Sequence, residues 1–166
     1  MRKRHESLIP LSHQHHHGLV MSRRLRQQPE DDAHRSAATA ALARELIEFF
    51  DHDLTPHFAA EEEALFPAME EQLGSLLIID QLRREHQQMA AIIERLRRAR
   101  ATASSALLHR FGELLHDHIR KEERVLFALF EERMPAESVV RVGQRIAQIT
   151  ATVQQRVCES RPPRTR

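Results

Sequence analysis

The 166-residue chain has no tryptophan, no tyrosine and a single cysteine, Cys158. Each absence removes a class of function. One thiol excludes an intramolecular disulfide and any cluster held by several thiolates. Without tyrosine, no tyrosyl radical can form on the chain. Strand-favouring aromatics reduce to seven phenylalanines, and only four glycines and seven prolines punctuate a sequence rich in Ala, Leu, Arg, Glu and Gln. That composition points to an all-α fold. An excess of one charge is missing too: 25 Lys plus Arg face 24 Asp plus Glu. No electrostatic case exists for nucleic acid or an anionic membrane. No apolar run is long enough to span a bilayer, and none follows the basic start Arg2-Lys3-Arg4 as a signal peptide would. The expectation is a cytoplasmic protein.

What the chain does have is histidine, twelve of them, and imidazole is the commonest protein metal ligand. Two stand in a repeated phrase. His57-Phe58-Ala59-Ala60-Glu61-Glu62-Glu63-Ala64-Leu65-Phe66 and His118-Ile119-Arg120-Lys121-Glu122-Glu123-Arg124-Val125-Leu126-Phe127 share H-x-x-x-E-E-x-x-L-F at a constant offset of 61. On a helix, residues four apart share a face. His57 with Glu61, and His118 with Glu122, are therefore matched nitrogen-and-carboxylate pincers. Leu65 and Phe66 continue the stripe, which aims each pincer at the core. An inward ionisable pair is costly unless something satisfies it, and a metal would.

The pattern predicts five helices. Residues 1–10 read as an irregular lead, and a first helix runs from about Ser12, its cap, to Gln28. Pro29 to Asp32 form a break, with Asp32 as the next cap. The second helix covers about Ala33 to Glu71; near Asp53 to Pro56 it either kinks or restarts with Thr55 as cap. Gly74 stops it. The third spans about Leu76 to Arg100. The fourth follows a cap at Ser104 or Ser105 and ends at Pro135. The fifth runs from Glu137 to Cys158, with Val140, Ile146, Ile149 and Val153 partly striped. Residues 160–166 form a loose tail. Short connections between long helices imply an up-down-up-down four-helix bundle with an added C-terminal helix, as one domain over 11–159.

A second repeat joins the first. Leu11, His15 and Leu25 recur as Leu82, His86 and Leu96 at an offset of 71. The domain thus reads as two helical hairpins, each giving one His from its first helix and H-x-x-x-E from its second. Packed face to face, they bring His15, His57, Glu61, His86, His118 and Glu122 to the bundle centre. Nitrogen and carboxylate donors without thiolate suit iron, manganese or zinc. His16 is the alternative to His15. His52, just before the proline break, is either a further ligand, a hydrogen-bond partner of one, or a capping surface residue. His5, His13, His17, His34 and His109 read as surface. Glu62 and Glu123 fall about 100° round the helix from the pincers, which favours supporting or solvent roles. Glu113-x-x-His116 is a lone E-x-x-H, where the ferritin-like fold needs two. The Arg pairs 23–24, 83–84 and 97–98 read as solvated faces.

With these residues in place, the chain resembles the hemerythrin-like (HHE cation-binding) family of di-iron four-helix bundles. The resemblance rests on L-x-x-x-H in helix one, H-F-x-x-E-E-x-x-L-F-P at His57–Pro67, E-H at Glu85–His86 and H-x-x-x-E-E at His118–Glu123. It implies two iron ions. Glu61 and Glu122 would bridge them, His15 and His57 would hold one, and His86 and His118 the other. Oxygen carriers of the family have a further His one turn before the His86 position, where this chain has Leu82. Their H-x-x-x-x-D in the fourth helix is here H-x-x-x-E, as in the non-carrier members. With a bridging hydroxide the set fills about ten of the twelve positions that two octahedral ions offer, leaving the others open. The implied function is binding or reduction of O₂, peroxide or nitric oxide by a sensor, scavenger or stress protein, with any enzymatic activity being weak peroxide or NO reduction. Iron storage or delivery is the alternative, including repair of iron–sulfur clusters, whose proteins carry a cysteine-bearing N-terminal segment that nothing here matches. The small-molecule ligand is the only implied partner, and the sequence leaves the oligomeric state open.

Overall fold

The structure is a computed structural model that describes residues 4–30, 36–99 and 104–159. Among them lie five helical rods. α1 is Ile9–Arg26, entered through a short 3₁₀ turn at Glu6–Leu8. α2 occupies residues 37–73 and α3 is Leu77–Ala99. α4 occupies residues 105–133 and α5 is Ala136–Glu159. The first four form the expected up-down-up-down bundle and α5 is added outside it. No helix is long and apolar enough to cross a membrane among the described residues.

α1 starts three residues before the expected cap at Ser12. Pro10 falls in its first turn, where a missing N–H costs nothing and the fixed φ suits the helix. The lead is therefore partly helical. α2 begins at Ala37, with the Ser36 side chain accepting from the Thr39 N–H at 3.1 Å. The cap expected at Asp32 lies outside the described residues, as do the tail at 160–166 and the side chain of Cys158. Ser104, rather than Ser105, caps α4, and Gly74 closes α2 at φ 79°, a conformation that favours glycine.

Neither α2 nor α4 is α-helical throughout. α2 contains π-turns at Phe50–Leu54 and Glu61–Leu65, and α4 contains one at Glu122–Leu126. The first resolves the ambiguity at Pro56: the rod neither breaks nor restarts. The Thr55 N–H reaches back five residues to the Phe50 carbonyl, and Thr55 Oγ1 donates to the same oxygen at 3.0 Å. The widened turn gives a proline ring the room that an α-helix denies it. Pro67 follows the second π-turn in the same relation.

Packing divides the bundle along its axis. One apolar cluster joins Leu8, Leu11, Leu65, Phe66, Leu82, Leu126, Phe127 and Phe130; α5 covers it with Val139, Val142, Ile146 and Ile149. The other joins Met21, Leu25, Leu46, Phe58, Met89, Ile93, Phe111 and Leu115. Val140, expected on the α5 stripe, faces outward at 52% exposure. α1 and α4 run antiparallel and close: a Cβ on Gly112 would lie 2.9 Å from the Ser22 carbonyl oxygen. Between the two clusters, one level of each of the four bundle helices carries polar side chains instead.

Candidate metal centre

Six buried polar residues occupy that level. His15 comes from α1, His57 and Glu61 from α2, His86 from α3, His118 and Glu122 from α4. Both glutamates are fully excluded from solvent. The side chains form two overlapping sets, His15-His57-Glu61-Glu122 and Glu61-His86-His118-Glu122, in each of which one atom per residue lies within 4.8 Å of the others. Both carboxylates belong to both sets.

The carboxylate oxygens are apportioned. Glu61 turns Oε1 to His57 Nε2 (3.3 Å) and Oε2 to His86 Nε2 (3.4 Å). Glu122 turns Oε2 to His15 Nε2 (3.1 Å) and Oε1 to His118 Nε2 (3.3 Å). None of these four oxygens has a hydrogen-bond partner. Buried acceptors without partners are rare in folded proteins, and cost about 1–3 kcal/mol or more each. The imidazoles meet in pairs, with 3.1 Å between the Nε2 atoms of His15 and His57 and the same between His86 and His118. Two lone pairs cannot face each other at that distance without a proton or a cation between them.

In the metal-free protein the proton takes that place. Burial would lower the His15 imidazole, but Glu122 and Glu123 outweigh it and raise it to about 9. His118 is raised to about 10 by Glu122 and Glu85, again against burial. His86 is raised by Glu61 and Glu62 over the same opposition. Burial would raise the Glu122 carboxyl, yet His118 and His15 hold it well below the usual range. The centre is thus a charged cluster that a cation can take over by displacing protons.

Each ring is fixed from behind. His15 Nδ1 donates to Glu123 Oε1 (2.7 Å) and His86 Nδ1 to Glu62 Oε1 (2.6 Å). His57 Nδ1 donates to Gln14 Oε1 (2.8 Å) and His118 Nδ1 to Glu85 Oε2 (3.0 Å). With every Nδ1 committed, every Nε2 faces the centre, the arrangement that orients imidazoles towards a metal. Glu62 and Glu123 each reach a histidine of the opposite hairpin. The sequence reading did not single out Gln14 or the task of Glu85; the signal was available, since both directly precede the His of the 71-residue repeat.

Rings pack over the imidazoles. Phe127 stacks on His15 at 5.3 Å, and Phe66, its repeat partner, lies over His86 at 5.9 Å. Arg4 and Arg83 lie over those same phenyl rings. The repeat is not exact here: Phe58 stacks on His86 at 3.8 Å, whereas Ile119 holds the corresponding place in the other half. Gly18 likewise stands where the other half has Met89. Smaller side chains leave space, and a cavity of about 10 Å³ lies among Gln14, His15, Gly18, His57, Leu115 and Ile119. That is room for roughly one water-sized molecule.

The remaining described histidines stay outside. His16 is exposed, which separates it from His15, and His13 and His17 are exposed as well. His52 is half-buried on the first π-turn and belongs to neither set. His109 is tied to the Gln28 carbonyl at 3.0 Å rather than free on the surface, and His34 lies outside the described residues. Glu113 pairs with Arg26 and His116 with Asp117, away from the centre. The arginine pairs lie on the outside, salt-bridged in part to Glu45, Glu70 and Asp51.

A sequence model of the hemerythrin HHE cation-binding domain matches residues 8–130. The match spans the whole six-residue level and ends before α5. No curated protein and no solved structure matches the chain.

Proposed function

The chain belongs to the hemerythrin HHE cation-binding domain family, and on that premise we propose that it is a di-iron protein that binds or reduces dioxygen, peroxide or nitric oxide, as a sensor, scavenger or stress protein. In this reading His15 and His57 would hold one ion and His86 and His118 the other, with Glu61 and Glu122 shared between them. The observation that carries it is the set of four buried carboxylate oxygens without hydrogen-bond partners, each aimed at a different imidazole nitrogen. Nitrogen and hard oxygen donors in this number suit iron. When bound, the ions supply open coordination positions and redox capacity.

The protein's own residues do the rest. Glu123, Gln14, Glu62 and Glu85 keep the imidazole lone pairs aimed inward. Phe58, Leu54, Leu115 and Ile119 exclude bulk water from the level of the ligands. The cavity beside His15, His57 and His118 has room for about one water-sized molecule, which favours very small ligands over organic substrates. An enclosed level with two sets of ligands has no place for a mineral core, which weighs against storage. A cytoplasmic setting accompanies the reading, since one cysteine leaves no disulfide to maintain.

Iron reconstitution tests it. Elemental analysis is expected to give two iron ions per chain, and the optical spectrum is expected to change on adding peroxide, dioxygen or nitric oxide. One ion or none ends the dinuclear reading. Uptake far beyond two ions per chain supports storage instead.

A further inference from the structure

The two halves of the centre match in their inner ligands and differ behind them. At one position the repeat substitutes an amide for a carboxylate: Gln14 accepts from His57 Nδ1, and Glu85 accepts from His118 Nδ1. Glu85 is itself well anchored, by Lys121 and by Gln81 Nε2 at 2.9 Å. The second support is a carboxylate in both halves, but its surroundings differ. Glu123, behind His15, takes Arg4 on Oε2 and the Ser12 hydroxyl on Oε1 at 2.7 Å. Glu62, behind His86, has no salt bridge of its own to an arginine or lysine among the described residues. The His15–His57 half is therefore backed by one carboxylate, whose Arg4 also pairs with Glu131. The His86–His118 half is backed by two carboxylates, with Lys121 on Glu85 and with Arg83, itself paired with Glu70, near Glu62.

The extra carboxylate favours a cation in the His86–His118 half. A carboxylate behind an imidazole makes its other nitrogen a better donor than an amide does, and a second negative charge attracts a dication directly. Resting on the two-ion reading above, we infer that the halves have unequal affinity: His86 and His118 load first and hold their ion, while His15 and His57 hold the weaker, exchangeable ion. Gln14 and Glu85 are the positioning residues that set the difference. Gln14, His15 and His57 lie on the wall of the cavity, and so does His118 of the other half.

Metal titration of the apoprotein with cobalt(II) tests this without an activity assay. The wild type is expected to bind two ions in resolved steps about 10- to 100-fold apart, the range that supporting partners of metal ligands control. A crystal holding one equivalent of cobalt should show anomalous density at His86 and His118. Gln14→Glu should bring the two steps together by strengthening the second, and Glu85→Gln should weaken the first. The double variant Gln14→Glu/Glu85→Gln keeps the composition and should reverse the order of filling; circular dichroism of each apoprotein checks that the bundle forms. Two steps arising only from repulsion between the ions would leave the gap unchanged in all three variants, and that result overturns the inference. So does density at His15 and His57 with one equivalent. Fewer than two ions in total would instead remove the two-ion reading itself.

Discussion

Glu61 and Glu122 sit on diagonally opposite helices, and each gives one oxygen to each histidine pair. A carboxylate so placed belongs to both halves at once. Glu61→Ala and Glu122→Ala should each lower retention of both ions, as read by metal content after dialysis. Loss of one ion with the other retained would show that the carboxylates are terminal ligands.

Proton and metal compete for the same nitrogens, so the apoprotein and the loaded protein should respond oppositely to pH. His15 and His118 are raised in the folded state, from 6.5 to about 9 and about 10. Their contribution to apoprotein stability is full below pH 6.5 and is lost as pH rises through those values. Glu122 is lowered, so its contribution is present above 4.5 and is lost on acidification. Metal affinity should rise over the window in which the imidazoles lose their protons. Melting temperatures of both forms against pH check the first expectation. Calorimetry at pH 7 in buffers of different ionisation enthalpy should show proton release on binding.

Leu82 is fully buried one turn before His86, on the same helical face. Leu82→His should place a further nitrogen near the ion of that half, slow peroxide turnover and lengthen the life of any oxygen adduct. The apoprotein should lose about 1–3 kcal/mol from an unpaired buried imidazole and recover it on iron loading. Denaturant melts with and without iron read the stability. Unchanged peroxide kinetics with no recovery would mean that Leu82 faces away from the metal.

Gly18 is the open wall of the cavity. A Cβ there would meet Ile119 Cδ1 at 2.7 Å, the free end of a side chain that can turn aside. Gly18→Ala should therefore cost only about 1 kcal/mol while narrowing the space beside His15 and His57. Binding of a three-atom anion such as azide to the iron form should weaken more than binding of nitric oxide. Equal effects on both ligands would mean that they enter by another route.

Much of this was legible in the sequence. Two constant offsets picked out the six polar residues that meet at the centre, because a side chain needed twice in a pseudo-symmetric bundle is written twice. Gly74 marked its helix end because its positive φ has few substitutes, and the Ser104-Ser105 pair marked a helix start because a hydroxyl there can accept a first-turn N–H, although which of the two caps was left open. Ser12 misled, since a good capping residue caps only where a helix starts, and Pro10 let α1 start earlier. The places of Gln14 and Glu85 were marked by the repeat, since each directly precedes its His, but their task was not, because reach across to a neighbouring helix leaves no period within one helix. His52 stayed ambiguous for the same reason. The π-turns at Glu61 and Glu122 were invisible, since no residue type demands an extra backbone step as glycine marks a positive φ.

Those turns give the molecule a tolerance to counting as well as to spelling. A π-turn holds one residue more than the α-helical path it replaces, so each is an insertion that a helix has absorbed. Glu63 and Arg124 lie exposed within the two turns, and exchanging either for alanine should leave the melting temperature almost unmoved. Deleting either one would return the turn to α-helix and leave Phe66 or Phe127 close to its place in the core, whereas a deletion in the α-helical stretches on either side would rotate everything beyond it by about 100°. In these two stretches length, as well as lettering, is open to natural variation.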